Sequence, residues 1–279
     1  DVPGARLHVV ERGPQHAPPL LLVHGLAGQL RHFTYGVMDR LATQYRVVAV
    51  DRPGSGYSQR LGGAGADLAT QADAIAALIV QLQLDRPLVV GHSLGGALSL
   101  TLAQRHPQRV AALALVAPLV TLPTGSPKAF RGLEMRSGWL RRLVAWTLAV
   151  PASIRQRDVI LGLVFGPEPV PADFPTRGGG LLALRPSHVI AASEDLVALP
   201  DTLPALEQRQ ADISAPIAVL YGREDRILDP AVQGAALAAR QPSAELTLVA
   251  GGHMLPVTQP ELTARFIAEA AQRAGLRPA

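Results

Sequence analysis

A serine, a histidine and a set of acids lie along this 279-residue chain in an order that could run nucleophilic acyl chemistry. The sharpest signal is "LVVGHSLGGAL" at 88–98, where an apolar run hands over to an Ala/Leu-rich one through Gly91-His92-Ser93-Leu94-Gly95. A strand-to-helix turn this abrupt strains the backbone of its central residue and demands small neighbours. The glycines supply them, with Gly96 easing the helix against the strand. The helix N-terminus behind Ser93 directs partial positive charge and free N–H groups at the site, which suits a developing oxyanion. A serine hydroxyl so placed still needs a base.

Eight histidines are available. His92 adjoins the serine but points the wrong way for a base; His8 and His16 belong to the N-terminal region, and His32 and His106 to expected surface helices. His188 falls in a helical mid-chain segment, where a helix-face or lid role fits it. His253, in "LVAGGHMLP", follows the last apolar run and precedes the last helical one, so its loop opens on the same sheet edge as Ser93. It is the expected base. The orienting acid should share that edge, and "VLYGREDRILDP" offers Glu224, Asp225 and Asp229. Asp229 precedes Pro230 and a helical run, the position of an N-cap. Asp225 has the spacing after Gly222 that returns a short carboxylate over the strand end, with Glu224 as the fallback.

The elements that must position these residues are short apolar runs alternating with helical ones. "PLLLVHG" (19–25), "YRVVAVD" (45–51), "PLVVGHS" (87–93), "VAALALVA" (110–117), "PIAVLYG" (216–222) and "AELTLVAGG" (244–252) read as strands covered on both faces. Helical spacing occupies 67–84, 93–106 and 259–273. This alternation implies right-handed crossovers and a mostly parallel, doubly wound α/β sheet. It breaks between about 119 and 210, where Pro and Gly cluster around helices expected at 137–150, stopped by Pro151, and at 185–199. The expected division is therefore a core of 1–118 and 211–279 and a helical cap of 119–210, with "TRGGG" (176–180) as its candidate hinge.

The chain order Ser93, Asp225, His253 resembles that of the α/β-hydrolase family, esterase and lipase branches included. "HGLAG" (24–28) resembles its oxyanion loop, "DRPGSGYS" (51–58) its next glycine-rich loop, and "YGREDRILDP" and "GGHMLP" its acid and histidine loops. The resemblance implies an α/β-hydrolase fold with the cap inserted after its sixth strand. It also implies an oxyanion hole from the backbone N–H groups of Leu26 and Leu94, and an acyl-enzyme mechanism without metal or organic cofactor. His24 and Arg52 are expected to hold loop structure. Ser93 in place of an aspartate argues against dehalogenases and epoxide hydrolases, and the lack of cysteine against polyester synthases. Leu94 and Leu26 replace the aromatics typical of prolyl aminopeptidases and of cofactor-free haloperoxidases. A small-molecule carboxylic ester is the expected substrate. Acyl transfer, lactone or C–C hydrolysis, and a non-catalytic binding role are the alternatives.

Composition sets further bounds. Net charge is +4, yet Lys128 is the only lysine and no aromatic-interleaved basic stripe occurs, so nucleic acid is not an expected partner. With no cysteine, thiol nucleophiles, disulfides and thiolate metal sites are excluded, and cytoplasm and cell envelope suit the chain equally. No apolar run reaches the ~20 residues of a membrane span. The chain begins at Asp1 rather than Met, so an upstream segment of unspecified nature is expected to have been removed. Between 126 and 157 seven basic residues (Lys128, Arg131, Arg136, Arg141, Arg142, Arg155, Arg157) face one acid, Glu134, with Trp139 and Trp146 interleaved. The apolar face there is expected to pack on the core rather than to meet lipid.

Overall fold

The computed structural model describes residues 1–123, 125 and 128–277. Its strands, in chain order, are β1 (Ala5–Arg6), β2 (Val9–Arg12), β3 (Pro19–Val23), β4 (Arg46–Val50), β5 (Gln59–Arg60), β6 (Leu88–His92), β7 (Ala112–Val116), β8 (Ile217–Gly222) and β9 (Glu245–Val249). Seven form one sheet in the order β2-β4-β3-β6-β7-β8-β9, while β1 pairs with β5. Only β2 runs antiparallel within the large sheet. The main helices are α1 (Leu68–Gln81), α2 (Leu94–Arg105), α3 (Gly138–Thr147), α4 (Ala149–Phe165), α5 (Pro186–Gln208), α6 (Pro230–Arg240) and α7 (Pro260–Arg273).

Every residue of β3, β6, β7 and β8 is buried, as continuous apolar strands require when helices cover both faces. Leu21, Val23, Val89, Leu113 and Leu115 pack with α1 and α2, and the alternate residues Leu20, Leu22, Leu88, Val90 and Ala114 pack with α7. The period of two along each strand thus divides the core into two layers. Three strands lack the continuous apolar run that marks the others: β1 and β5 are two residues long, and β2, "VVER", is a half-polar edge. The last strand, expected to be buried, is the opposite edge, with Glu245, Leu246 and Thr247 exposed.

The helical segment leaves β7 as expected but differs inside. Pro151 does not stop a helix; it stands in the first turn of α4, where no intrahelical donor is lost. The helix expected at 185–199 continues to Gln208 through Pro200 and Pro204. Burial of Leu199, Leu203 and Leu206 in the core layer of α1 and α2 offsets the two prolines. "TRGGG" is docked rather than loose: Gln29 Nε2 donates to the Gly178 carbonyl at 2.8 Å, and the Phe174 ring fills the space a Gly178 side chain would need. The largest departure is the orientation of α3. Its buried residues are Arg141 and Ala145, whereas Trp139, Leu140, Leu143 and Trp146 face outward. Arg141 anchors this side by pairing with Glu194 and donating to Ser193 Oγ and the Met135 carbonyl. Ala145 and Ala149 then fit against Val189 of α5.

Candidate active site

The sharp turn between β6 and α2 forms because its glycines permit contacts no larger residue could make. Ser93 has φ 55° and ψ −120°, a strained conformation for a residue with a side chain. A Cβ on Gly95 would lie 2.3 Å from the Val23 carbonyl oxygen, and one on Gly91 would lie 2.5 Å from that of Gly95. The β6–α2 corner is therefore pressed against the end of β3, and the neighbouring loop follows: a Cβ on Gly25 would meet the Ser93 Cβ at 2.8 Å. Leu26 and Leu94 line the same cavity as Ser93. Neither backbone N–H donates to another described residue.

The Gly25 loop is held by a buried cation. Arg52 donates from Nε to the His24 carbonyl at 3.0 Å and from Nη2 to the Gly25 carbonyl at 3.1 Å. Its Nη1 pairs at 2.8 Å with Asp195 of α5, and both side chains are fully buried. His24 Nε2 accepts from the Arg52 backbone at 2.9 Å, so its Nδ1 carries the proton donated to the Gly25 carbonyl at 2.8 Å. Burial, and then the Arg52 charge, hold His24 well below its ordinary pKa, which keeps it a neutral strut.

At the ends of β8 and β9, His253 Nδ1 donates to Asp225 Oδ2 at 2.7 Å, with both side chains almost fully buried. The other carboxylate oxygen accepts the Ile227 and Leu228 N–H groups at 2.8 and 2.9 Å. Asp225 is thus fixed before it orients the imidazole, leaving Nε2 free. Glu224 does something else. It accepts the Gly251 N–H at 2.6 Å and braces the loop that carries His253. Glu168, just beyond α4, accepts the Gly252 N–H at 3.0 Å and braces the same loop from the helical segment.

His92, the chain neighbour of Ser93, packs against His253. The His92 ring lies 4.9 Å from the His253 ring, and its Nε2 donates to the His253 carbonyl at 3.0 Å. Among the described residues no hydrogen bond links Ser93 to His253 directly; such contacts commonly tighten only when substrate binds. The remaining histidines sort by burial. His32, expected on a surface helix, instead has a buried Nδ1 without a partner, and burial followed by the neighbouring His188 and His253 lowers its pKa to about 4. His188 accepts the Gly56 N–H at 3.3 Å and is buried, so its pKa is also lowered. Neither the Arg52–Asp195 pair nor the Glu168 brace leaves a mark in the sequence, since each joins elements far apart along the chain.

Beside Ser93 opens a cavity of about 220 Å³. Leu119, Phe130, Leu196, Leu199 and Leu228 line it with Leu26 and Leu94, and no ionisable side chain is among its described lining. Among the described residues no cluster of His, Cys, Asp or Glu could hold a metal ion.

Residues 18–260 match the profile of the family described as alpha/beta hydrolase fold. The chain belongs to that family. A Serratia proteamaculans (strain 568) protein provisionally named carbamate hydrolase RutD is 32% identical over 251 residues, covering 88% of this chain and 87% of that protein. The Pseudomonas putida 2-hydroxy-6-oxononadienedioate/2-hydroxy-6-oxononatrienedioate hydrolase 2 is 27% identical, covering 86% and 82%. The solved structure of a thermophilic esterase from Thermogutta terrifontis, with malate bound, superposes with a TM-score of 0.70 at 25% identity, covering 96% and 93% of the two chains. This α/β hydrolase therefore has relatives named for several bond types, and its own cavity must distinguish among them.

Proposed function

We propose that this hydrolase is a serine carboxylesterase acting on neutral esters of short to medium acyl chains. The observation that carries the reading is the cavity: Ser93 opens onto apolar walls without an ionisable group among the described residues. A dioic acid would bring a second carboxylate, and burying it there without a cation would cost several kcal/mol (roughly 2–7 even for a neutral polar group). An acyl chain gains from the same walls roughly 25 cal/mol per Å² of apolar surface covered. The volume, about 220 Å³, lies below that of pockets for drug-sized ligands and favours a modest chain.

In this reading His253 Nε2 takes the proton of Ser93 Oγ as the oxygen attacks the ester carbonyl. The tetrahedral oxyanion receives the Leu26 and Leu94 N–H groups, and the alcohol leaves with the proton returned by His253. Water, deprotonated by His253, then releases the acid and restores Ser93. Asp225 keeps the proton on Nδ1 and stabilises the imidazolium. The segment 119–210 acts as the cap, since Leu196, Leu199 and Pro200 of α5 roof the cavity.

The test is the initial rate on p-nitrophenyl esters from acetyl to palmitoyl, for the wild type and Ser93→Ala. Serine-dependent turnover peaking at short to medium chains is expected. No turnover by folded protein at any length would sink the esterase reading and favour a non-catalytic role. Product capture by an added alcohol in preference to water would reassign the chain to acyl transfer.

A further inference from the structure

The outward face of α3 is an unusual surface. Trp139, Leu143 and Trp146 recur at helical spacing on one side, with Leu140 beside them and Leu148 at the corner where α4 begins. Trp139 is 71% and Trp146 72% exposed, and Leu143, Leu148 and Ile154 are each more than half exposed. This is a contiguous apolar ridge, not a scatter of single side chains. Nor is it a face waiting for the core: the opposite side of α3 is already fixed by Arg141 and Ala145.

The rim of the ridge is basic. Arg131, Arg136, Arg142 and Arg155 are exposed and, among the described residues, form no ion pair; of the nearby acids Asp158 is taken up by Arg157, which leaves Glu134 alone against the four arginines. On a helical projection Arg142 flanks the tryptophans directly. Self-association through this face is disfavoured, because a two-fold contact would set like charges against one another. Exposed tryptophan and leucine flanked by arginine match instead the boundary between acyl chains and acidic head groups. There indole rings lie at the interface and guanidinium groups meet phosphates.

We propose that α3 and the start of α4 form a docking surface for an anionic lipid membrane. The chain would rest on the surface rather than cross it, since among the described residues no helix is long and apolar enough to span a bilayer. The binding itself does not depend on the ester reading.

Trp139 and Trp146 are the only tryptophans in the chain, so intrinsic fluorescence reports on this face alone. The experiment uses the full chain carrying Ser93→Ala, so that vesicles stay intact, with phosphatidylglycerol/phosphatidylcholine vesicles against pure phosphatidylcholine. A blue shift and co-sedimentation are expected with the anionic vesicles only, both weakening as salt is raised. Replacing Arg136, Arg142 and Arg155 together by Gln should weaken binding about a hundredfold, from a several-fold contribution by each arginine. Trp139→Ala/Trp146→Ala, altering exposed positions that carry no packing, should fold normally and fail to sediment. No shift with anionic vesicles at low salt overturns the proposal, and so does equal binding to both lipids. A shift that grows with protein concentration in the absence of lipid would overturn it in favour of self-association.

Discussion

Neighbouring acids on α5 provide a sharp test of how burial sets the worth of an ion pair. Asp195 and Glu194 both pair with arginines, and Arg60 bonds to both. Asp195 is fully buried, and its partner Arg52 has no access to water. Glu194 is 35% exposed and faces Arg60 and Arg141 near the surface. Asp195→Ala leaves the Arg52 guanidinium uncompensated in the interior, with only carbonyls and Gln71 as partners. The cost should be about 3–5 kcal/mol, a large part of the ~5–15 kcal/mol that holds a protein folded. Glu194→Ala removes contacts of a partly exposed carboxylate, and the arginines keep other partners, Asp195 for Arg60 and Ser193 and the Met135 carbonyl for Arg141, so it should cost less, about 1–2 kcal/mol. Urea unfolding of the two variants, with the slopes compared to check that the same surface is exposed, measures the difference. A double variant, Arg52→Met/Asp195→Leu, should recover much of the lost stability because no charge is stranded. It should not recover turnover, because Arg52 also holds the His24 and Gly25 carbonyls behind Leu26. If the Asp195 and Glu194 variants lie within about 1 kcal/mol of each other, burial is not what decides this network.

Asp225→Asn should lower kcat on the best ester by about 10³–10⁴-fold with little change in KM, since the amide favours the wrong imidazole tautomer. Glu224→Gln, which leaves an oxygen for the Gly251 N–H, should cost far less in the same assay. Leu199→Trp should move the preferred ester toward shorter acyl chains, because Leu199 walls the cavity; an unchanged profile would place the chain elsewhere. Acid should destabilise the fold early. His32 binds its proton only near pH 4 when folded but near 6.5 when unfolded, so stability is fully present above about 6.5 and falls as pH drops toward 4. His24, His92 and His188, also lowered by burial, act with the same sign. Between pH 6.5 and 5 the loss from His32 alone should reach at most about 2 kcal/mol, and urea midpoints for His32→Gln should fall less steeply.

Local pattern determined much of this protein. The strands of the sheet centre are runs of Val, Leu, Ile and Ala because both their faces are covered, and a continuous run can be read without knowing the partner. The turn at Ser93 is legible for the same reason: the glycines it requires are its own neighbours in the chain. The meeting of His253 with Asp225 is legible from the place of one after the last strand and the spacing of the other after Gly222. What the sequence left open was every contact between distant segments. Glu224 and Asp225 are adjacent carboxylates, and only the packed loops assign one to the Gly251 backbone and the other to the His253 ring. The Arg52–Asp195 pair spans 143 positions and leaves no periodic trace. The turning of α3 is the clearest case. Its spacing shows an apolar face but not a direction, and one buried arginine with ion-pair and hydrogen-bond partners on α5, beside an alanine small enough for close approach, decided that the apolar face would look outward.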